Sequence, residues 1–269
     1  MNTRSLRIAV KKVGVKANPY YFSHRRDLHR QIRVLLSALI PQQTEHELIR
    51  FGHRPGYLIP DDLVDIQYCF SPGVGNFTTF EESIYERHKI KSFLCDYSVE
   101  RPSADFDFEF DKKFLGAYND NVFITLNAWY DEYLNDDYRG DMVLAMDIEG
   151  GEYTSLLSTS EDLLRRFRII IVEFHHLFKL IDYVYFPIIQ STFARILASH
   201  FVVHIHPTNN QGVIKVADMQ IPDVMEFTFL RRDRARSISP ATTFPHPLDL
   251  DADEERQTIV LPRCWYQGQ

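Results

Sequence analysis

Apolar and polar positions change their texture once along the chain. Residues 24–50 carry apolar side chains at helical spacing and predict two helices broken at Pro41. From Leu63 onward, short apolar runs alternate with helical stretches. The runs VDIQYCF (64–70), KSFLC (91–95), VFITL (122–126), MVLAMDI (142–148) and IIIVEF (169–174) read as strands. Between them, helical periodicity covers 77–88, a piece after Asn127, and 152–166. Strands that alternate with helices predict a parallel sheet joined by right-handed crossovers, an α/β fold. A long helical stretch over 176–199 precedes FVVHIH (201–206), VIKVA (213–217) and VMEFTFL (224–230). Strands that crowd together late in a chain predict an antiparallel edge on the parallel sheet. After Arg231 no period is visible, which predicts a tail packed on the surface or partly disordered.

Composition narrows the class without naming it. The 269 residues are 45% apolar and 25% charged, ordinary values for a chain that buries a core. Thirty basic against 37 acidic side chains give a formal charge of −7, which excludes a chain devoted to coating nucleic acid or anionic membrane. Three cysteines with no CxxC pair point to a reducing compartment. The N-terminus lacks the apolar run of a signal peptide, and Lys179 and Asp182 interrupt the best candidate for a membrane span. The expectation is a soluble, cytoplasmic protein with no nucleic-acid partner, open to forming a homo-oligomer.

The first apolar run ends in SPGVGNFTTFE, where Ser71, Gly73, Gly75 and Asn76 stand between a strand and a helix. Glycines at the first crossover let backbone N–H groups approach a ligand, and doubly wound sheets bind nucleotides there. Only half of the GxGxxG fingerprint is present. Asp96 ends the next strand, 21 residues beyond Gly75, an offset suited to holding ribose hydroxyls. With no third glycine to cradle a pyrophosphate, S-adenosylmethionine fits better than a dinucleotide.

Acids and imidazoles gather at later strand ends. MVLAMDIEGGE supplies Asp147, Glu149 and Glu152; VEFHH supplies Glu173, His175 and His176; FVVHIHPTNN supplies His204, His206, Asn209 and Asn210. Each has a plain structural explanation alone, such as acids at a helix N-terminus. Ligands in open α/β sheets sit beyond the carboxyl ends of the strands, so together these residues predict a divalent-metal or acid–base site.

The order YCFSPGVGNFTTFE, FLCDYS, ITLNAW, MDIEGGEY, IIIVEFHHL, HIHPTNN and IPDVMEFTFLRR resembles the FkbM-like family of S-adenosylmethionine-dependent methyltransferases, from about Phe51 to Arg232. The resemblance implies a class I methyltransferase, Rossmann-like fold: a seven-stranded, mostly parallel sheet whose last strand is antiparallel. It also implies O-methylation, frequently of a sugar hydroxyl on a glycan or glycosylated product. On this reading residues 1–50 form a helical extension packed on the core, 51–232 the methyltransferase domain and 233–269 a tail. Ser71, Gly73, Gly75, Asn76, Asp96 and Tyr57 would bind the cofactor. Tyr57 belongs to HRPGYLIP, where Pro55 replaces the first glycine of the family's GGY element. Similarity to metal-dependent O-methyltransferases places Asp147 and Glu173 as ligands of magnesium or manganese, with His204 or His206 as a third. Catalysis would fall to Asp147, Glu149 and His175, with Glu149 or His175 taking the hydroxyl proton. Two rivals remain open: an NAD(P)-dependent oxidoreductase or epimerase, which would want the full glycine fingerprint and a Tyr-xxx-Lys pair, and a non-catalytic nucleoside-binding protein of the same fold.

Overall fold

Seven of the strands form one sheet in the computed structural model, which describes residues 19–53, 56–134 and 138–267. In chain order they are β1 (Tyr68–Pro72), β2 (Lys91–Cys95), β3 (Phe108–Asp111), β4 (Met142–Met146), β5 (Phe167–Phe174), β6 (His200–Pro207) and β7 (Met225–Arg231). Their spatial order is β3-β2-β1-β4-β5-β7-β6. Strands β1 to β5 pair in parallel, and β7 runs antiparallel to both of its neighbours. This is the doubly wound order of a Rossmann-like sheet with a late antiparallel strand slipped between the fifth and sixth. The order reverses between β1 and β4, which opens a crevice at their carboxyl ends.

Side-chain alternation explains the unbroken apolar runs. In β4, Met142, Leu144 and Met146 join one core cluster, while Val143 and Ala145 join the other. In β5, Ile170, Val172 and Phe174 face the first cluster, while Ile169 and Ile171 face the second. A sheet covered on both faces needs apolar residues at every position. Helices α1 (Pro19–Ala38), α3 (Leu126–Tyr133), α4 (Glu152–Ser158), α5 (Glu161–Arg166) and α6 (Phe186–Leu197) contribute to the first cluster, through residues such as Ile32, Trp129 and Phe193. The second face is covered by α2 (Thr79–His88), through Phe80 and Ile84, and by the antiparallel pair Leu48–Gly52 and Gly56–Pro60.

Several expectations need correction. No second helix follows Pro41: Gln42–Gln43 pairs with Ser239–Pro240, and Leu48–Gly52 pairs with Gly56–Pro60. The apolar positions 48, 49 and 51 suit a strand as well as a helix, and pairing with a partner strand decides between them. The 50/51 boundary therefore falls inside a strand. The run 122–126 holds only the short strand Phe123–Ile124, which pairs with Phe114–Leu115 outside the main sheet; FEFD at 108–111 supplies its third strand. Likewise 213–217 pairs with Met219–Pro222 in a separate two-stranded unit. The stretch 152–166 divides into α4 and α5, with Ser160 capping α5 by accepting from the Leu163 N–H at 3.3 Å. The stretch 176–199 holds a 3-10 turn (Leu177–Ile181) before α6. The tail is packed, with Leu261 and Trp265 buried in the first cluster. Pro55 and residues 1–18 lie outside the described residues. Among the described residues no helix is long and apolar enough to cross a membrane.

Candidate functional site

The loop after β1 is pressed against the loop after β4. Gly73 has φ +84°, and a Cβ placed there would lie 1.6 Å from the Asp147 carbonyl oxygen. Only glycine fits. The Asp147 N–H donates to Pro72 O at 3.2 Å, and the Gly73 N–H to Cys95 O at 2.8 Å, so three strand ends are tied together. Asp96 reaches back across the gap: its Oδ2 accepts from the Gly75 N–H at 2.9 Å, and its Oδ1 from the Ser98 N–H at 2.8 Å. A cavity of about 500 Å³ opens here, within the range of ligand-binding clefts. Gly73, Gly75, Asp96 and Ser98 form its polar side, Phe114, Leu115, Phe123 and Ile148 its apolar side, and Asp147 and Glu149 its far end. Ser71 lies buried and donates to Glu81 of α2; Asn76 is exposed and lines none of the cavities.

At that far end stands a histidine surrounded by acids. His175 follows β5, with its Nδ1 3.0 Å from Oε1 of the fully buried Glu152. Nδ1 also lies 3.2 Å from the Glu173 carbonyl oxygen, which can only accept, so Nδ1 carries the hydrogen and Nε2 is turned outward. Nε2 lies 3.3 Å from Glu149 Oε2 and 3.9 Å from Asp147 Oδ1. Burial acts to lower the His175 pKa, but hydrogen bonding to Glu152 and the surrounding negative charge outweigh it and raise it. Burial and the neighbouring Glu173 carboxylate push Asp147 well above the usual carboxylate range. Glu149 reaches its place through φ +54°, followed by Gly150 at +106°. Backbone held in that region by a non-glycine residue costs energy, and such strain gathers at functional sites. Single donor atoms of Asp147, Glu149 and His175 all lie within 4.8 Å of one another. Two carboxylates and an imidazole suit a divalent cation, and a carboxylate on the second imidazole nitrogen is the usual support for a ligating histidine.

The predicted histidines of β6 are engaged elsewhere. His204 and His206 belong to β6, where a buried carboxylate from the tail occupies them: Asp249 Oδ1 lies 2.9 Å from His204 Nε2, and Oδ2 lies 3.3 Å from His206 Nδ1. Of the expected ligand set of Asp147, Glu173 and His204 or His206, the histidines are thus held by Asp249, while Asp147 gathers with Glu149 and His175. Glu173 is beside Asp147 and accepts from the Thr208 hydroxyl at 3.0 Å. It lines a second cavity of about 270 Å³ that also holds Tyr57 and His206, so Tyr57 faces this space and not the first cavity. Asn209 clamps the tail, donating to Asp253 O at 2.8 Å. Two buried acids were missed. Asp249 sits in an aperiodic tail and meets its partners only through the fold. Glu226 announced itself faintly, as the one charged residue in the apolar run of β7. A Tyr-xxx-Lys spacing does occur at Tyr85 and Lys89, but Lys89 sits over the Tyr85 ring at the end of α2, and neither residue lines a cavity.

Comparison with protein-family models and with curated proteins gives no match. The functional reading therefore rests on the geometry and on the sequence resemblance.

Proposed function

We propose that this chain is an S-adenosylmethionine-dependent O-methyltransferase acting on a sugar hydroxyl, with a divalent metal assisting. One observation carries the reading: a single cavity runs from the glycine loop and Asp96 to Asp147 and Glu149. A nucleoside held at the Asp96 end would direct its reactive end toward the acidic trio. The apolar wall of Phe114, Leu115 and Phe123 offers a slot for a purine, and Asp96 supplies a carboxylate for ribose hydroxyls.

Methyl transfer to oxygen is an in-line displacement. The hydroxyl oxygen forms a bond to the methyl carbon, the carbon–sulfur bond breaks, and its electron pair leaves on sulfur as a neutral thioether. The hydroxyl proton must go to the protein or solvent. Asp147, Glu149 and His175 would hold the metal, whose chemistry is to acidify a bound hydroxyl. Glu152 keeps His175 oriented with Nε2 outward. Glu173, outside the ligand set and next to Asp147, is placed to receive the proton.

Calorimetry with S-adenosylmethionine and with NAD, each titrated separately, tests the reading. The expected result is saturable binding of the former and none of the latter. Binding of NAD alone would overturn it in favour of the oxidoreductase. Cofactor binding without methylation of any member of a glycan panel would favour the non-catalytic alternative.

A further inference from the structure

A row of polar side chains crosses three strands beside the reactive trio. Glu173 of β5 is paired in register with Glu226 of β7, and Glu226 with His206 of β6. Directly opposed side chains on neighbouring strands lie on one face and within contact of each other. Three ionisable groups therefore form one rung at the end of the sheet where β5 and β6 finish. The second cavity opens onto all three. His206, one of the residues lining this space, is only 5% exposed, and its Nε2 is buried without a hydrogen-bond partner. Buried polar groups are costly when unpaired, so an imidazole left in this state marks a place where a ligand completes the bonding.

We propose that this second cavity is the acceptor subsite and that it takes a hydroxylated ring bearing no anionic group. The proposal rests on the methyl-transfer reading above. Asp147 lines the first cavity and Glu173 the second, and each directly follows one member of the pair Met146 and Val172, so they stand side by side at neighbouring strand ends. A ring in the second cavity thus stands against the reactive end of the first. Glu173 and Glu226 can accept from ring hydroxyls. Phe77, 65% exposed at the mouth, offers an aromatic face to the ring's C–H side. Burial lifts the Glu226 pKa well above the usual carboxylate range, so among the wall charges Glu173 and Asp251 face Arg50 and His206. That balance leaves no surplus of positive charge to offset the desolvation of a carboxylate or phosphate on the ligand. Leu250 to Ala252 close one side, and Asp249, held between His204 and His206, fixes that wall in place. The tail therefore takes part in choosing the acceptor.

Ligand-observed NMR on the whole chain saturated with S-adenosylhomocysteine tests this. The probes are the methyl glycosides of glucose, galactose and mannose, each beside its uronic acid. Neutral glycosides should bind, with the uronic acids at least tenfold weaker. Phe77→Ala and Glu226→Leu should each weaken every neutral glycoside about tenfold. Unchanged S-adenosylhomocysteine affinity in both variants shows that they fold and keep the first cavity. No binding of neutral glycosides, equal or better binding of uronic acids, or indifference to both variants would overturn the subsite. Failure of S-adenosylhomocysteine to bind the wild type would overturn the methyl-transfer reading, and the glycoside arm run without it would still decide the subsite.

Discussion

Glu152 Oε1 lies 3.0 Å from His175 Nδ1, joining the first residue of α4 to the residue that follows β5. The pair fixes which imidazole nitrogen faces Asp147 and Glu149. If that trio holds a divalent cation, Glu152→Gln should weaken Mn²⁺ binding by roughly 10- to 100-fold, the usual effect of removing such a support. Asp147→Ala should abolish it. Electron paramagnetic resonance of free Mn²⁺ reads both, and equal affinity in the wild type and Asp147→Ala would remove the metal from the mechanism.

Asp96 has two tasks, tying Gly75 to the end of β2 and facing the first cavity. Hydrogen bonds to a charged group are worth roughly 1.5–3 kcal/mol. Asp96→Ala should therefore weaken S-adenosylhomocysteine binding about tenfold or more, measured by calorimetry. An unaltered dissociation constant in a folded variant would move the ribose elsewhere.

Glu81 links pH to stability. Burial raises its pKa from 4.5 to about 7, partly offset by the Ser71 hydroxyl that donates to it. Between those values the folded chain keeps a proton that the unfolded chain has lost. Its contribution to stability therefore falls as pH rises through this window and levels off above it, a change of about 3 kcal/mol. Glu81→Gln removes this titration, so urea unfolding at pH 5 and pH 8 should show a smaller loss in the variant. Identical losses would mean that Glu81 titrates normally.

Arg168 is the centre of a buried ionic network. Its Nε lies 2.9 Å from Asp141 Oδ2, and its Nη1 lies 3.3 Å from Asp62 Oδ1, with both arginine and Asp62 side chains only 6% exposed. Breaking a buried pair strands its partners, at about 3 kcal/mol where other cations remain nearby, as Arg231 and Arg234 do here. Arg168→Ala should lower unfolding free energy by that amount. Arg30→Ala, which removes only the exposed pair with Asp27, should change it by about 0.5 kcal/mol or less. Similar effects in the two variants would contradict this account of the network.

The sequence by itself determined the alternation of strands and helices and the doubly wound sheet, because a strand buried on both faces must read as an apolar run. It also marked Gly73, Asp96, Asp147, Glu149 and His175, whose positions at strand ends follow directly from that alternation. Grouping was beyond it. Local sequence does not say which of His175, His204 and His206 joins the acids: each lies in or directly after an apolar run. Tertiary structure separates them, because β7 inserts between β5 and β6, and the returning tail delivers Asp249 to His204 and His206. The segment after Pro41, up to residue 50, read as helix for the same reason. Its helical spacing was real, but its hydrogen-bond partners lie at Gly56–Pro60 and Ser239–Pro240, and pairing between strands outweighs a local preference worth well under 1 kcal/mol per residue.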